Sequence, residues 1–274
     1  MEFEIGSHGT QGLALKLSQH RWLLIGACIL CFANGCARET QTLEPTDLPV
    51  SLIIEELADK RSQLSSFRAV GTLRVEGGKN RWSGRAFILG RMPQSLRLEV
   101  LSFFGQPALY LVSDGDHFLF WEPGSDRAYQ GFASGNTLTS LIKFPLEDSK
   151  TLLLLAGIVP SWDYQKATLF RIRETDNLLL QLQDGPGRLT QRVWLEAEEF
   201  AVTRIERLRG SRLELEADFT DFVAIEGSLY PRAVLIKADK VVLSLHYKQF
   251  VINEPLQEET FRLPLPEGIE VFPW

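Results

Sequence analysis

Cysteine is nearly absent from this 274-residue chain and is confined to its N-terminal segment. The three cysteines are Cys28, Cys31 and Cys36. Beyond residue 36 the chain can form no internal disulfide and offers no thiolate ligand to a metal. Apolar residues make up 45% of the sequence and charged residues 23%, which is the composition of a globular domain rather than of a disordered chain.

Histidine is scarce too, and the common catalytic motifs are missing. Beyond the N-terminal segment only His117 and His246 occur, each inside a predicted strand, and we interpret both as structural. There is no nucleophile elbow, phosphate-binding loop, dinucleotide-binding glycine motif or zinc-protease motif. Asp114-Gly115-Asp116 is typical of a hairpin turn and lacks the later ligands of a calcium loop. We therefore expect no enzymatic activity, no cofactor and no metal.

Basic tracts are also absent. Lysine and arginine total 29 against 35 aspartates and glutamates, so the formal net charge is −6. An acidic chain without a basic tract has unfavourable electrostatics for nucleic acid and for anionic membrane surfaces. This balance excludes nucleic acid as the expected partner.

The first 35 residues have the pattern of a secretory signal. Lys16 and Arg21 precede the apolar run 22–33, which is too short to span a bilayer as a helix. The run leads to Ala-Asn-Gly before Cys36, which resembles the lipobox of bacterial lipoproteins. We predict a signal peptide at 1–35 and lipid attachment at Cys36.

Alternatives to this cleavage remain open. The sequence Ile-Gly-Ala before Cys28 also has the lipobox pattern, and the segment could instead be a plain cleaved signal or a membrane anchor. If Cys36 is lipidated, several acyl chains would hold the protein at a membrane without a spanning helix. The resemblance to bacterial lipoproteins implies the periplasmic face of the outer membrane of a Gram-negative bacterium, because Ala37 replaces the aspartate that favours inner-membrane retention. We interpret residues 36–48 as the lipidated cysteine and its tether.

Residues 49–274 are predicted to form a single domain rich in antiparallel strands. Apolar and polar residues alternate along 96–100 and 212–219, and turn residues separate such segments at regular intervals, which indicates a barrel or a sandwich. A helix is expected to begin near Asp47 and Pro49, with its apolar residues on one face. Prolines in the tail predict an edge segment.

Two further helical segments interrupt the strands. One is predicted over Thr137 to Lys143 and the other from Glu147 to a C-terminal cap at Gly157. The second is apolar nearly all round because it contains four consecutive leucines, 152–155. It is therefore either a buried core helix or a helix that borders an apolar cavity.

A hairpin between Leu96 and Ser113 has an unusual tip. Phe103 and Phe104 stand side by side just before Gly105, where a hairpin loop is normally polar. The sequence is equally compatible with two placements of these rings. The rings are either exposed and available to an apolar partner, or folded back beneath the hairpin as part of the core.

A set of spaced small and apolar residues resembles the LolB family of the LolA/LolB superfamily. The resemblance covers roughly Phe67 to Pro160, and its segments are Arg68-Ala-Val-Gly-Thr-Leu73, Gly84-Arg-Ala-Phe87, Leu96-Arg-Leu-Glu-Val-Leu-Ser-Phe-Phe-Gly105, Leu138-Thr-Ser-Leu-Ile-Lys-Phe-Pro-Leu146 and Leu153-Leu-Leu-Ala-Gly-Ile-Val-Pro160. It implies a mainly β, α+β fold, in which an incomplete antiparallel β-barrel has helices covering an apolar concave face.

The resemblance also implies a function. A LolB-like protein would accept lipoproteins from a periplasmic LolA-like carrier and help insert them into the outer membrane. Phe104 lies where the family has an exposed leucine in a protruding loop, so Phe103 and Phe104 are the candidate membrane and cargo loop. Apolar residues on the concave face would bind acyl chains, the expected ligands, and the candidates are Leu73, Val75, Leu98, Val100, Leu152, Leu155, Leu213 and Leu215. We expect a monomer. The alternative is a lipoprotein of the same fold that binds lipid without transfer or acts as an envelope scaffold.

Overall fold

The computed structural model of the chain describes residues 41–77, 80–133 and 147–274, without the side chain of Asn80. The predicted signal peptide, Cys28, Cys36 and the helix predicted over Thr137 to Lys143 lie outside these residues. Thr42–Trp274 form one compact unit. Within the described ranges, no helix combines the length and the apolar character needed to cross a membrane.

In the described part of the first half there are a short strand, a helix and six further strands joined by hairpins. Strand β1 is Leu43–Pro45 and helix α1 is Val50–Gln63. The following strands are β2 Ser66–Gly77, β3 Asn80–Arg91, β4 Ser95–Leu101, β5 Pro107–Ser113, β6 His117–Trp121 and β7 Arg127–Phe132.

In the described part of the second half there are another helix and eight strands. Helix α2 is Asp148–Leu155, and a 3-10 turn covers Glu258–Phe261. The strands are β8 Lys166–Ile172, β9 Leu178–Gln183, β10 Leu189–Leu195, β11 Val202–Arg209, β12 Arg212–Ile225, β13 Ser228–Ala238, β14 Val241–Ile252 and β15 Glu270–Pro273.

All fifteen strands belong to one open sheet, in the order β1-β8-β9-β10-β11-β12-β13-β14-β2-β3-β4-β5-β6-β7-β15. Every neighbouring pair is antiparallel except β7 and β15, which are parallel. The two halves of the chain meet where β14 pairs with β2. The sheet does not close, so the mainly β, incomplete antiparallel barrel expected from the sequence is confirmed. The proline-containing tail strand β15 lies at an edge, as predicted.

Alternation along the strands separates two faces. On β2, Leu73 and Val75 are buried, whereas Arg74 and Thr72 between and beside them are exposed. We call the side with the buried residues the inner face and the opposite side the outer face. The inner face carries most of one continuous apolar core, to which α1 and α2 also contribute. Successive side chains of a strand point to opposite sides, so this division follows directly from the sequence pattern.

Helix α1 packs its apolar residues Ile53 and Leu57 into the core. Its N-cap residue is Pro49, so the expected cap at Asp47 is wrong; the extended backbone of the proline starts the helix without a side-chain cap. In the last turn, Lys60 Nζ donates a hydrogen bond to the Leu229 carbonyl, with a donor–acceptor distance of 2.5 Å. Burial lowers the pKa of Lys60, and the charge of nearby Glu56 partly offsets that effect.

Helix α2 lies within the core, and its leucines 152–155 are all buried. The buried hydroxyl of Tyr247 donates to the Leu155 carbonyl at 2.8 Å, which connects the end of α2 to β14. Burial also raises the pKa of the Tyr247 hydroxyl. Gly157 follows with φ +74°, and a Cβ there would overlap the Pro231 ring. Glycine is therefore required where the chain leaves α2.

The last part of the predicted tether is ordered in the sheet. Leu43 to Pro45 pair with Phe170 to Ile172 of β8, and the guanidinium of Arg173 forms an ion pair with Glu44. These three residues therefore belong both to the predicted tether of 36–48 and to the sheet. They pair because β8 presents an open edge that a short extended segment can cover.

Candidate functional site

An apolar cavity lies between the inner face of the sheet and helix α2. Its walls come from six strands that are adjacent in the sheet, β14, β2, β3, β4, β5 and β6, and from α2. The cavity volume is about 50 Å³. The lining residues are Leu73, Val75, Trp82, Ile88, Leu96, Leu98, Leu109, Leu111, Phe120, Leu243, Leu245, Thr151 and Leu155.

The wall is apolar because each strand contributes alternate residues. Leu96 and Leu98 point inward from β4, while Arg97 between them points outward and pairs with Glu99. The inward rows are in register across strands, as in the Leu98–Leu111 pair of β4 and β5. Because neighbouring strands point their apolar residues to the same side in register, they form a continuous hydrocarbon surface.

Thr151 is the single polar residue in this lining, and its hydroxyl is satisfied within its own helix. The hydroxyl donates to the Glu147 carbonyl at 3.0 Å. It therefore presents mainly its methyl group, and the cavity offers no free polar group to a ligand. Such a surface can bind hydrocarbon but cannot orient a polar reactant for chemistry.

Four lining residues are only partly buried, namely Trp82, Leu98, Leu109 and Phe120. They occupy consecutive strands, β3 to β6. The remaining walls, including α2 and the β14–β2 pair, are fully buried. The cavity is therefore closest to solvent along β3–β6.

The structure places four of the eight predicted lining residues in the cavity wall, namely Leu73, Val75, Leu98 and Leu155. Val100, Leu152 and Leu215 do not line it but are buried in the surrounding core. These three have the predicted inner-face or core location but lie away from the free space.

The assignment of Leu213 to the cavity is wrong, because this side chain is 38% exposed. It pairs with Leu208 directly after an irregularity in the β11–β12 register, one residue from the strand end at Arg212. Apolar and polar residues continue to alternate along β12 past the end of the core. Leu213 therefore has an inner-face position in the sequence pattern but faces solvent.

None of the lining residues from β3, β5, β6 and β14 was among the candidates. Their apolar alternation is visible in the sequence, for example at Leu243 and Leu245 of β14. What the sequence does not show is that β14 pairs with β2, about 170 residues away. Without the strand order, the inner-face residues of β14 could not be separated from those of the other strands.

The tip of the β4–β5 hairpin is the second feature of the site. Phe103 is 95% exposed and Phe104 85% exposed, so the interpretation that the rings fold into the core is wrong. The rings contact each other edge to face with centroids 5.5 Å apart. The Ser102 amide donates to the Gln106 carbonyl, and Gly105 has φ +77°, which together make a tight turn that projects both rings outward.

The cavity and the tip share one hairpin. Leu98 and Leu109 line the cavity, and Leu101 pairs with Pro107 just before the aromatic tip. At ~3.3 Å per strand residue, Leu98 and Phe103 are separated by roughly 15 Å along the chain. The cavity wall and the exposed rings are therefore parts of the same hairpin.

The histidines lie outside the cavity. His117, at the start of β6, packs against Phe132, and His246 is on the outer face with Nδ1 3.3 Å from the Arg232 carbonyl oxygen. Asp114 accepts hydrogen bonds from the amides of Asp116 and His117, which is the predicted hairpin turn. Over residues 41–77, 80–133 and 147–274, no group of three or more His, Cys, Asp and Glu is arranged to hold a metal.

Comparison with known proteins gives structural relatives only. No family model matches the sequence, and no curated protein is significantly similar to it. A LolA superfamily protein from Nitrosomonas europaea aligns over 79% of this chain and 98% of its own, with 15% identity and a TM-score of 0.50. A putative outer membrane lipoprotein-sorting protein domain from Vibrio parahaemolyticus aligns over 77% and 94%, with 10% identity and a TM-score of 0.50. A DUF1329 family protein from Desulfovibrio piger aligns over 78% and 97%, again with 10% identity and a TM-score of 0.50.

The sheet and its cavity define a class of protein: an open antiparallel half-barrel whose mainly apolar inner face packs against helices and encloses an apolar cavity. Its fold is the LolA/LolB-type fold, as the resemblance in the sequence predicted.

Proposed function

We propose that this protein binds acyl chains non-covalently in the inner-face cavity, as an outer-membrane lipoprotein that accepts lipoproteins from a LolA-like periplasmic carrier and helps insert them into the membrane. The observation that carries the proposal is the uniformly apolar wall built by six adjacent strands and α2. A ligand suited to this wall is a hydrocarbon chain.

Binding and release need no covalent step, so we propose that the protein is not an enzyme. Each methylene moved from water into an apolar site contributes about 0.8 kcal/mol. Transfer from a carrier requires only that the acceptor bind the chain somewhat better than the donor does. Release into a bilayer requires that lipid solvate the acyl chain about as well as the cavity does.

Loading must enlarge the cavity. Its 50 Å³ is a few times the roughly 10–15 Å³ that one water needs, which is too small for a whole acyl chain. The half-buried residues along β3–β6, Trp82, Leu98, Leu109 and Phe120, mark the side on which an acyl chain would enter. We propose that the acyl chain displaces these side chains first and that helix α2 moves with them.

Other features support the envelope assignment. One structural neighbour is described as a lipoprotein-sorting domain of the outer membrane. The lipobox-like sequence before Cys36 would place this chain at the same membrane, anchored by acyl chains and facing the periplasm. The exposed rings of Phe103 and Phe104 would then contact lipid during unloading, with the protein acting as a monomer.

The test is organic extraction of the purified full-length chain, followed by mass spectrometry and by titration with a fluorescent fatty acid. We expect co-purifying acyl lipid and saturable binding. Leu98→Phe fills the cavity without burying a charge and should weaken binding at least several-fold. Leu213→Phe adds the same ring at an exposed position and serves as the matched control. Equal affinities for wild type and both variants would exclude the cavity as the site.

The small cavity also favours a second candidate, a lipid-binding or scaffold lipoprotein that does not transfer cargo. An empty, non-binding core on extraction would support the scaffold. Depletion of the protein in its host separates the remaining cases, because an acceptor predicts mislocalised lipoproteins and a lipid binder without transfer predicts normal sorting.

A further inference from the structure

The outer face of the central strands carries a basin that the acyl-chain proposal does not use. It lies over β2 and β14, has a volume of about 370 Å³, and is lined by Thr72, Arg74, Ser244, His246 and Lys248. Strand register places Thr72 beside His246 and Arg74 beside Ser244. Because side chains alternate along a strand, these residues point away from the cavity formed by Leu73 and Leu245.

Arg85 extends the basic surface onto the next strand. It is the cross-strand neighbour of Thr72 on β3 and is exposed. Its guanidinium lies 5.0 Å from the ring centroid of Phe87, which holds the flat group against the sheet. Arg74 and Lys248 therefore line the basin together with the hydroxyl-bearing Thr72 and Ser244, and Arg85 lies beside it on the same outer face.

Acidic groups near the basin are paired with other bases. The partners are Glu76 with Arg81 at 2.9 Å, Glu254 with Arg68 at 2.6 Å, Asp221 with Arg232 at 2.6 Å, and Glu99 with Arg97 at 2.5 Å. Across the described part of the chain, no carboxylate lies within ion-pair distance of Arg74, Arg85 or Lys248. A chain of net charge −6 thus has a local excess of three positive charges here.

From this arrangement we infer that the outer-face basin binds a phosphate group. An arginine fork donates two parallel hydrogen bonds to phosphate oxygens, a lysine supplies a point charge, and hydroxyls can donate to a third oxygen. A carboxylate has only two oxygens and one charge, whereas a phosphomonoester carries about −1.5 to −2. The basin has more donors than a carboxylate can accept, so phosphate is the better match.

Inorganic phosphate and the phosphomonoester headgroup of phosphatidic acid share this chemistry. The first arm of the test titrates the full-length chain with sodium phosphate at constant ionic strength by calorimetry, with sodium acetate as the comparison anion. The second arm measures co-sedimentation with phosphatidic acid vesicles and with phosphatidylcholine vesicles. Binding of free phosphate without a preference for anionic vesicles identifies a soluble ligand, and the opposite result identifies a headgroup.

The basin variant is Arg74→Gln with Lys248→Gln. Charge-assisted hydrogen bonds of this kind make a loss of about tenfold in affinity the expected result. The matched control is Arg173→Gln with Arg188→Gln, which removes the same charge from exposed positions next to β8 and in the β9–β10 turn, several strands away. The phosphate affinity of this control should stay within a factor of about two of the wild-type affinity, because exposed ion pairs contribute little free energy.

Three results would overturn the inference: no binding in either arm, equal affinity in the basin variant and wild type, or an equal loss in the control, which would reflect net charge alone. All four substituted side chains are exposed or partly exposed on the surface, and matching denaturation midpoints verify that the variants fold. The inference rests on the outer face only, so it stands or falls separately from acyl-chain binding at the inner face.

Discussion

Replacing both tip phenylalanines by serine, Phe103→Ser with Phe104→Ser, separates a membrane role from a folding role. The side chains are 95% and 85% exposed in the free protein. Burying a phenylalanine side chain contributes about 1.5–3 kcal/mol. If both rings enter the bilayer, their loss should cost at least ~3 kcal/mol of membrane affinity, which is roughly a hundredfold change in partitioning.

The assay is co-sedimentation of the compact unit Thr42–Trp274 with vesicles, so that the segment before residue 42 does not contribute to binding. Phe132→Ser is the matched control, because Phe132 is 82% exposed as well. Strand register puts Phe132 beside His117, at the end of the β5–β6 pair opposite the tip. We expect the double variant to lose vesicle binding and the control to retain it.

Two outcomes would refute the reasoning. Unchanged partitioning of the double variant would show that the tip does not enter lipid. A fall of more than ~1 kcal/mol in the free energy of unfolding would show that the rings stabilise the fold, since substitutions at exposed positions normally stay within about 0.5 kcal/mol.

Three further predictions concern the contacts that hold the helices. Tyr247→Phe leaves the Leu155 carbonyl without its partner and should lower the free energy of unfolding by about 1–3 kcal/mol in urea denaturation; an unchanged midpoint would contradict this. Gly157→Ala forces a Cβ against Pro231 at positive φ and should cost about 2 kcal/mol or more, which a wild-type melting temperature would disprove. Because the pKa of Lys60 is lowered on folding, the unfolded chain binds more protons between that pKa and the ordinary value of 10.5. The contribution of Lys60 to stability should therefore rise with pH across this window, and Lys60→Met should remove that slope; parallel pH profiles of wild type and variant would contradict it.

Local pattern accounts for much of the fold. Alternation over β4 and β12 predicts their buried faces. Helix α2 is buried and also borders the cavity through Thr151 and Leu155, so both interpretations of this apolar segment apply. These features depend on residues close in sequence, whose spacing determines which side they share. The same logic identified Leu73, Val75 and Leu98 as inner-face residues.

Features that depend on distant pairing could not be predicted in this way. Leu215 and Leu245 have similar apolar strand contexts, yet only Leu245 borders the cavity because β14 is adjacent to β2 and β12 is two strands further along the sheet. The exposure of Phe103 was also undecided, since it depends on whether any other element reaches the hairpin tip. Residue type and spacing contain no information on either point.

The junction of β2 with β14 sets an order of assembly. Residues 66–77 leave the ribosome long before residues 241–252, so one edge of β2 stays unpaired for most of synthesis. Leu243 and Leu245, the wall on that side, arrive only with the final tenth or so of the chain. A nascent or truncated protein therefore exposes both a free strand edge and part of its apolar inner face until its last long strand is in place.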